Sequence, residues 1–397
     1  MRHCRRRKDP VNFDLTPDQR RLQESVADFA SKEIEPRAEQ LDREGVFPTD
    51  LFHKVGEMGI TAIPFKQEHG GMGLGTLEMA LAVEQLAIAD QSLAVSVMVS
   101  VSAGLILERF GTPEQKARFL PAIVQGKALG ALAGTEPQAG SDTASFTTRA
   151  LKVANGWTIN GQKAYITNAG TDISTFALTL ALTSEPDADR KRFTLFVVPR
   201  GTKGYEPGEP YRKMGWRSSD TRPLYFDDCV IPEDAILGGE GEGRHLLHKG
   251  YQQARVFLAH CSLGLAEASL RRSIAYANER KAFGGTLGKL QMIQEMIAQM
   301  AVKVDAARLL AYRAAWMGDQ GTVTLKELAM AKYYCCEIAT QVADVAIQVH
   351  GGWGFMDDCA VSRYYRDNRI CTIGDGSSQI QQLLIARSLG LDVRFAG

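Results

Sequence analysis

Gly374-Asp375-Gly376 sets one carboxylate between two glycines, just ahead of an apolar helical pattern near the C-terminus. Two roles suit such a segment. Asp and Gly are common turn residues, and Asp can cap a following helix. A carboxylate on a glycine-flanked loop can equally be presented as a general base. Local composition alone favours the turn. "GTEPQAGSD", from Gly134 to Asp142, is rich in small residues and hydroxyls. It can bring backbone N–H groups close to a flat or phosphorylated ligand, although an ordinary surface loop has the same make-up. "ERKAFGGTLGKLQMIQ" combines Arg280, Phe283 and Gln291. Arg suits a phosphate and Phe can cover a ring; the plain alternative is a helix–loop–helix connection. "HGGMGLG" has Thr76 where a dinucleotide loop needs its third glycine, and it follows no strand, so it reads as a tight turn.

The elements that must position these residues come in three blocks. Thr16-Pro17-Asp18-Gln19 is a helix start, with a Thr cap, Pro at the first helical position and Gln three residues after the cap. The device recurs at Thr112-Pro113-Glu114-Gln115, and Leu77 to Phe110 between them reads as buried helix. In the next block Asn160-Gly161 signals a hairpin between "GWTI" and "KAYIT". "TFALTLALT" and "RFTLFVVP" read as strands. Long helical patterns then return, one of them ending at Gly351-Gly352. The expected division is a basic tail over 1–12, a helical domain over 13–125, a β domain over 126–238 and a helical domain over 239–397. Helices flanking a β module suggest a ligand cleft at their junction.

Composition narrows the chemistry. The 397 residues are 45% hydrophobic, enough for two or three domains with real cores. Formal net charge is zero, which argues against a nucleic-acid partner and leaves anionic ligands to local clusters. Seven scattered cysteines, without metal-ligand spacing, suggest neither zinc nor a disulfide framework but a reducing compartment. No metal is expected, and no uninterrupted apolar run suggests a membrane span.

Taken together, these segments resemble the acyl-CoA dehydrogenases. "GTEPQAGSD", "INGQKAYITNAG", "KMGWRSSDT", "ERKAFGGTLGKLQMIQ", "QVHGGWGF" and "RDNRICTIGDGSSQIQ" stand in that family's order, and the resemblance runs from about Phe13 to Leu391. It implies an α+β fold with an N-terminal helical domain, a middle β-barrel domain and a C-terminal four-helix bundle. It also implies FAD at their junction, usually in a homotetramer, an acyl-CoA substrate and electron-transfer flavoprotein as acceptor. The setting would be the cytoplasm of a bacterium or the mitochondrial matrix of a eukaryote.

By that resemblance, Leu132, Gly134, Thr135 and Ser141, then Tyr165, Ile166 and Thr167, hold the flavin ring, and Ser141 also touches the acyl-CoA. Tyr165 replaces the Trp of many members. Arg280, Phe283 and Gln291, with Gln348 and Gly352, match positions that reach the FAD of a neighbouring subunit. Ser377 and Gln379 match a Thr-x-Gln that binds the adenine half. Arg255 matches the Arg of an LDxxR helix that helps bind substrate, with Gln252 in place of the usual Asp. Asp375 takes the place of the base, with Gly376 beside the substrate. The implied reaction is α,β-dehydrogenation, with a proton to Asp375 and a hydride to flavin N5. Hydrogen bonds to the thioester carbonyl would come from a flavin hydroxyl and the backbone N–H of Asp375.

Most members read Tyr-Glu-Gly where this chain reads Gly-Asp-Gly. Asp withdraws the carboxylate by about 1 Å, and such a shift costs around a hundredfold in rate for an unaltered substrate. Gly374 deletes an aromatic wall. Ala254 occupies the alternative carboxylate position used by some members, which leaves Asp375 as the base. Asp90 is a possible second acid or base, although a capping role is the simpler one. A shortened base beside a deleted ring points to a branched or alicyclic acyl group, such as cyclohexanecarboxyl-CoA. Competing readings are a nitroalkane oxidase-like or acyl-CoA oxidase-like flavoenzyme, and a non-catalytic flavoprotein-fold scaffold.

Overall fold

The computed structural model describes residues 14–185, 188 and 191–393; the expected basic tail lies outside them. The N-terminal block holds α1 (Pro17–Phe29), α2 (Ala38–Glu44), α3 (Thr49–Glu57), α4 (Thr76–Ala89), α5 (Gln91–Phe110) and α6 (Pro113–Val124). Thr16 and Thr112 each close a reciprocal capping box with the Gln three residues on, so the start signals act locally as expected. The 69–75 segment is a tight turn. Its backbone folds back on the preceding residues, through Met72 N–H to Ala62 (2.9 Å) and Leu74 N–H to Ile63 (3.0 Å). The apolar run from Leu77 to Phe110 breaks once, at Asp90, whose carboxylate accepts from the Leu93 N–H (2.8 Å) and starts α5. By length and apolarity α5 could cross a membrane, but most of its side chains are buried within this fold.

The middle block is one sheet of β1 (Leu129–Ala133), β2 (Arg149–Val153), β3 (Gly156–Thr167), β4 (Ser174–Leu182), β5 (Phe193–Pro199), β6 (Tyr205–Pro207), β7 (Thr221–Ile231) and β8 (Ile236–Leu237). Its order is β6-β7-β3-β2-β4-β5-β8, with β1 added in parallel beside β4. Asn160-Gly161 does not form the expected hairpin. β3 runs straight through it, and the register against β7 shifts there. The Asn160 amide exchanges hydrogen bonds with Asp228, and Gly161 packs so closely that a Cβ would lie 2.7 Å from Thr148 Cα. The signal marks a bulge, which uses the same glycine freedom as a turn. The chain reverses five residues earlier, where Val153 pairs with Gly156.

The final block holds α7 (Gly243–Glu279), a small hairpin of β9 (Lys281–Ala282) and β10 (Gly285–Thr286), then α8 (Gln291–Asp319), α9 (Leu325–His350), α10 (Ala360–Asn368) and α11 (Ser378–Ser388). An Ala-rich core of α7, α8 and α9 lets these long helices pack closely. α9 ends where Gly351 adopts a positive φ of 59°. α7 also lies on α4, α5 and β5, so it borders all three blocks.

Candidate active site

Asp375 sits between α10 and α11 at a positive φ of 52°, followed by Gly376 at 87°. The capping role belongs to its neighbour: Ser377 accepts from the Ile380 N–H and starts α11. The Asp375 loop is clamped from beneath. The fully buried Lys332 of α9 donates through Nζ to the Gly376 carbonyl (2.8 Å). The fully buried Gln381 of α11 donates to the same carbonyl (2.8 Å) and to that of Asp375 (3.3 Å). A Cβ on Gly376 would stand 2.6 Å from Gln381 Nε2, so glycine is required by close approach as well as by conformation.

The clamp holds the backbone and leaves the carboxylate alone. Among the described residues, the Asp375 side chain has no hydrogen bond or ion pair, and its N–H has no acceptor. Burial pushes the Asp375 carboxyl above the usual range, while the cations of Lys332 and Arg255 pull it back. Arg255 of α7 is likewise without a hydrogen bond, and its Nε is buried and unpartnered. One turn earlier, the Tyr251 hydroxyl has no hydrogen-bond partner among the described residues, and burial and the Asp375 charge raise its pKa. Three polar groups thus converge without satisfying one another. Buried polar groups normally find partners, so this cluster is built to receive one.

The second wall is the segment after β1. Glu136 is buried and accepts from Thr148 N–H (2.9 Å), Thr147 N–H (2.7 Å), Thr147 Oγ1 (3.0 Å) and Gln138 Nε2 (2.7 Å). Lys163 of β3, also fully buried, donates to Glu136 (2.8 Å) and to the Gly134 carbonyl (3.0 Å). Burial opposes the Glu136 charge, but Lys163 and the surrounding donors hold its carboxyl down at about 2. Burial draws Lys163 down to about 8. With Lys163 at about 8 and Glu136 at about 2, the pair is ionised at neutral pH. The pair fixes the backbone from Gly134 to Glu136, and the Ala164 N–H to Thr135 carbonyl bond (2.9 Å) ties it to β3. Leu132, Gly134 and Thr135 around the end of β1 therefore lie beside Tyr165, Ile166 and Thr167 at the end of β3. Ser141 is exposed on the following loop. Tyr165 stands out at a positive φ of 61°, its ring 5.2 Å from that of Tyr211. The hydroxyls of Thr135, Ser141 and Thr167 make no hydrogen bond among the described residues.

These two groups meet across α7: a Cβ on Gly134 would come within 2.7 Å of the Tyr251 hydroxyl. Arg280, Phe283, Gln348 and Gly352 gather elsewhere, on a surface cavity of about 770 Å³ beside Gln291. Phe283 is 91% exposed at the tip of the β9–β10 hairpin, in a left-handed conformation. Ser377 and Gln379 open α11, directly after the Asp375 loop. Asp90 is not part of this site. It caps α5 and pairs with the buried Arg363 (3.5 Å); burial raises its carboxyl, while Arg363 and the Leu93 N–H pull it back.

Known proteins place this geometry. The chain matches the acyl-CoA dehydrogenase N-terminal domain over 16–127, the middle domain over 131–229 and the C-terminal domain over 241–390. It belongs to the acyl-CoA dehydrogenase family. A probable acyl-CoA dehydrogenase of Bacillus subtilis, YngJ, is 40% identical, covering 96% of this chain and 100% of its own. The butyryl-CoA dehydrogenase structure from Megasphaera elsdenii superposes with a TM-score of 0.92 at 33% identity, covering 96% of this chain and 100% of that one. A chain from work on the electron transferring flavoprotein of Acidaminococcus fermentans superposes at 0.93 with 34% identity, covering 96% and 100%. This acyl-CoA dehydrogenase is an oxidoreductase, and its family is FAD-dependent. The residues here fit a flavin. Beside the backbone that Lys163 fixes at Gly134, the Thr135 and Thr167 hydroxyls have no hydrogen-bond partner among the described residues.

Three residues of the acyl-CoA dehydrogenase site were not singled out in the sequence. Lys332 and Gln381 look like ordinary polar positions on amphipathic helices, and only their burial reveals them. Tyr251 had a signal, because it stands where the LDxxR pattern has Leu.

Proposed function

We propose that this chain dehydrogenates an acyl-CoA thioester between its α and β carbons, with Asp375 as the base. The observation that carries the reading is a carboxylate with a raised pKa and no partner, on a loop whose backbone is clamped by Lys332 and Gln381. Asp375 removes the α-proton: the Cα–H bond breaks, an O–H bond forms, and negative charge grows on the thioester oxygen. The free Asp375 N–H can meet that charge. Bound FAD supplies the acceptor for the β-hydride. Leu132, Gly134, Thr135, Ser141, Tyr165, Ile166 and Thr167 would hold its ring, and Ser377 and Gln379 its adenine half. Arg255 orients the substrate. A cavity of about 1050 Å³ at the start of α7, where Lys191, Arg192 and Arg244 outnumber Glu240 and Glu242, suits the phosphates of the CoA carrier.

The acyl group is branched or alicyclic in this reading. A Cβ at Gly374 would meet only the Ile370 carbonyl, at 3.6 Å, so space beside the base is left open. The exposed Phe283 and its cavity support the homotetramer of this reading, in which a second copy with its FAD would occupy that cavity. Electron-transfer flavoprotein is the electron acceptor in this reading.

Anaerobic addition of straight-chain, branched and alicyclic CoA esters tests the reading through bleaching of the flavin. Faster bleaching by alicyclic or branched esters is expected. Preference for butyryl- or octanoyl-CoA would sink the acyl assignment, and no bleaching by any ester would leave the non-catalytic scaffold.

A further inference from the structure

Tyr165 is held by more than the strand that carries it. β3 and β7 pair Lys163 with Leu224 and Ile166 with Arg222, so Ala164 and Tyr165 together face the single residue Pro223. Pro223 has no N–H to give the ladder, and a proline inside a sheet is tolerated at such a bulge. The bulge bends β3 and leaves Tyr165 at its positive φ of 61°, a conformation uncommon outside glycine. The Tyr211 ring lies against it, 5.2 Å away and tilted by 36°. Tyr211 is itself fixed, on a strap that follows β6 along β7. Its N–H donates to the Thr221 carbonyl (2.9 Å), and the Gly208 N–H donates to that of Pro223 (2.9 Å). Arg222 Nη1 donates to the Gly208 carbonyl (3.2 Å), while its Nε donates to Asp220 (2.7 Å). On its other side Thr221 pairs with Thr167 of β3. The strap on one edge of β7 thus supports a ring that rises from the strand on the other edge. Tyr165 is still 63% exposed, so Tyr211 covers only part of it. Tyr165 also adjoins the Thr135 segment, because the Ala164 N–H is bonded to the Thr135 carbonyl (2.9 Å).

We propose that Tyr211 is a positioning residue of the flavin site, one that acts through Tyr165 alone. Packed on Tyr165, it keeps that ring against bound FAD, where an exposed side chain on a bulge would otherwise swing into solvent. A ring so held shields the flavin from water and from small solutes; a loose ring does not. This rests on the reading above that sets the flavin ring beside Tyr165.

Iodide quenching of flavin fluorescence in the purified holoenzyme reads the exposure of the flavin ring without turnover. Tyr165→Ala is expected to raise the quenching constant most. Tyr211→Ala is expected to raise it by about two- to tenfold, the change in population that the loss of one aromatic pair allows. Tyr211→Phe keeps the ring contact and is expected to quench like the wild type. In a Tyr165→Ala background, Tyr211→Ala is expected to add nothing, because a residue that acts through another has no effect once that other is gone. An unmoved constant in Tyr211→Ala would overturn the inference, as would an equal rise in Tyr211→Phe. A further rise in the double variant would also overturn it, since Tyr211 would then shield the flavin directly. The two readings fail separately. An unmoved constant in Tyr165→Ala refutes the placement of the flavin beside Tyr165, and the role of Tyr211 falls with it. A raised constant in Tyr165→Ala beside an unmoved one in Tyr211→Ala keeps that placement and refutes the role of Tyr211 alone.

Discussion

Glu136 and Asp375 are both carboxylates set into protein beside a lysine, and the molecule treats them in opposite ways. Glu136 receives two backbone N–H groups, a hydroxyl, an amide and the Lys163 ammonium, and its carboxyl falls to about 2. Asp375 receives none of these, and its carboxyl rises. The lysines differ in the same sense. Lys163 donates to the carboxylate itself, whereas Lys332 donates to the carbonyl one residue beyond the base. A satisfied carboxylate is a structural anchor whose charge is used up locally. A carboxylate held by its backbone alone keeps its lone pairs for a proton that arrives with a ligand. Asp90 resembles Glu136 in having partners, the Leu93 N–H and Arg363, although burial raises its carboxyl as it does that of Asp375.

The largest effect should come from removing the free carboxylate. Asp375→Asn is expected to slow anaerobic flavin reduction by about 10⁴-fold, the upper range for a general base, with normal flavin content. Near-normal bleaching would move the base elsewhere. The anchor should fail differently. Lys163→Met leaves Glu136 buried and unpaired, which costs about 3–5 kcal/mol in unfolding free energy. It also frees the Gly134 carbonyl, so flavin should be lost during purification. Glu136 has a carboxyl at about 2 against an ordinary 4.5, lower in the folded state than in the unfolded one. Its contribution is therefore present above pH 4.5 and is lost as pH falls toward 2, roughly 3 kcal/mol in all. Glu136→Gln should flatten that limb of a pH-dependent denaturation series. An unchanged acid limb would mean that the pair carries no such linkage.

This contrast explains what could be read from the chain beforehand. Helix starts at Thr16 and Thr112 were legible because a capping box is local chemistry, complete within four residues. Asn160-Gly161 misled because the same dipeptide serves a turn and a bulge, and only pairing with β7 decides between them. Asp375 stood out through its glycines, and the family resemblance turned a turn residue into a base. Its isolation was invisible, because the lack of a partner is a property of three elements at once. Lys332 and Gln381 lie 43 residues before and 6 residues after Asp375 and meet only in the folded chain. Tyr251 was readable as a departure from LDxxR, but its reach to Gly134 needed the backbone of another block.

The clamp permits a finer test. The groups facing the Asp375 carboxyl are Lys332 and, more distantly, Cys336 on α9, with Arg255 and Tyr251 on α7. Lys332→Met removes a cation that favours the ionised base, so the ascending limb of flavin reduction against pH should move to higher pH. It also releases one of two bonds to the Gly376 carbonyl, and a misplaced base costs about a hundredfold in rate. A merely structural lysine would lower stability and leave the pH limb where it was.

The smallest change is expected at the other satisfied carboxylate. Asp90→Asn keeps the cap of α5, because Asn caps as well as Asp. It weakens the pairing with Arg363, which should lower the melting temperature by a few degrees. The rate of flavin reduction and its pH limb should not move, since Asp90 and Asp375 answer to different cations. A shifted limb in this variant would mean that Asp90 shares the reaction's proton, and that satisfaction by hydrogen bonds does not separate anchors from bases in this molecule.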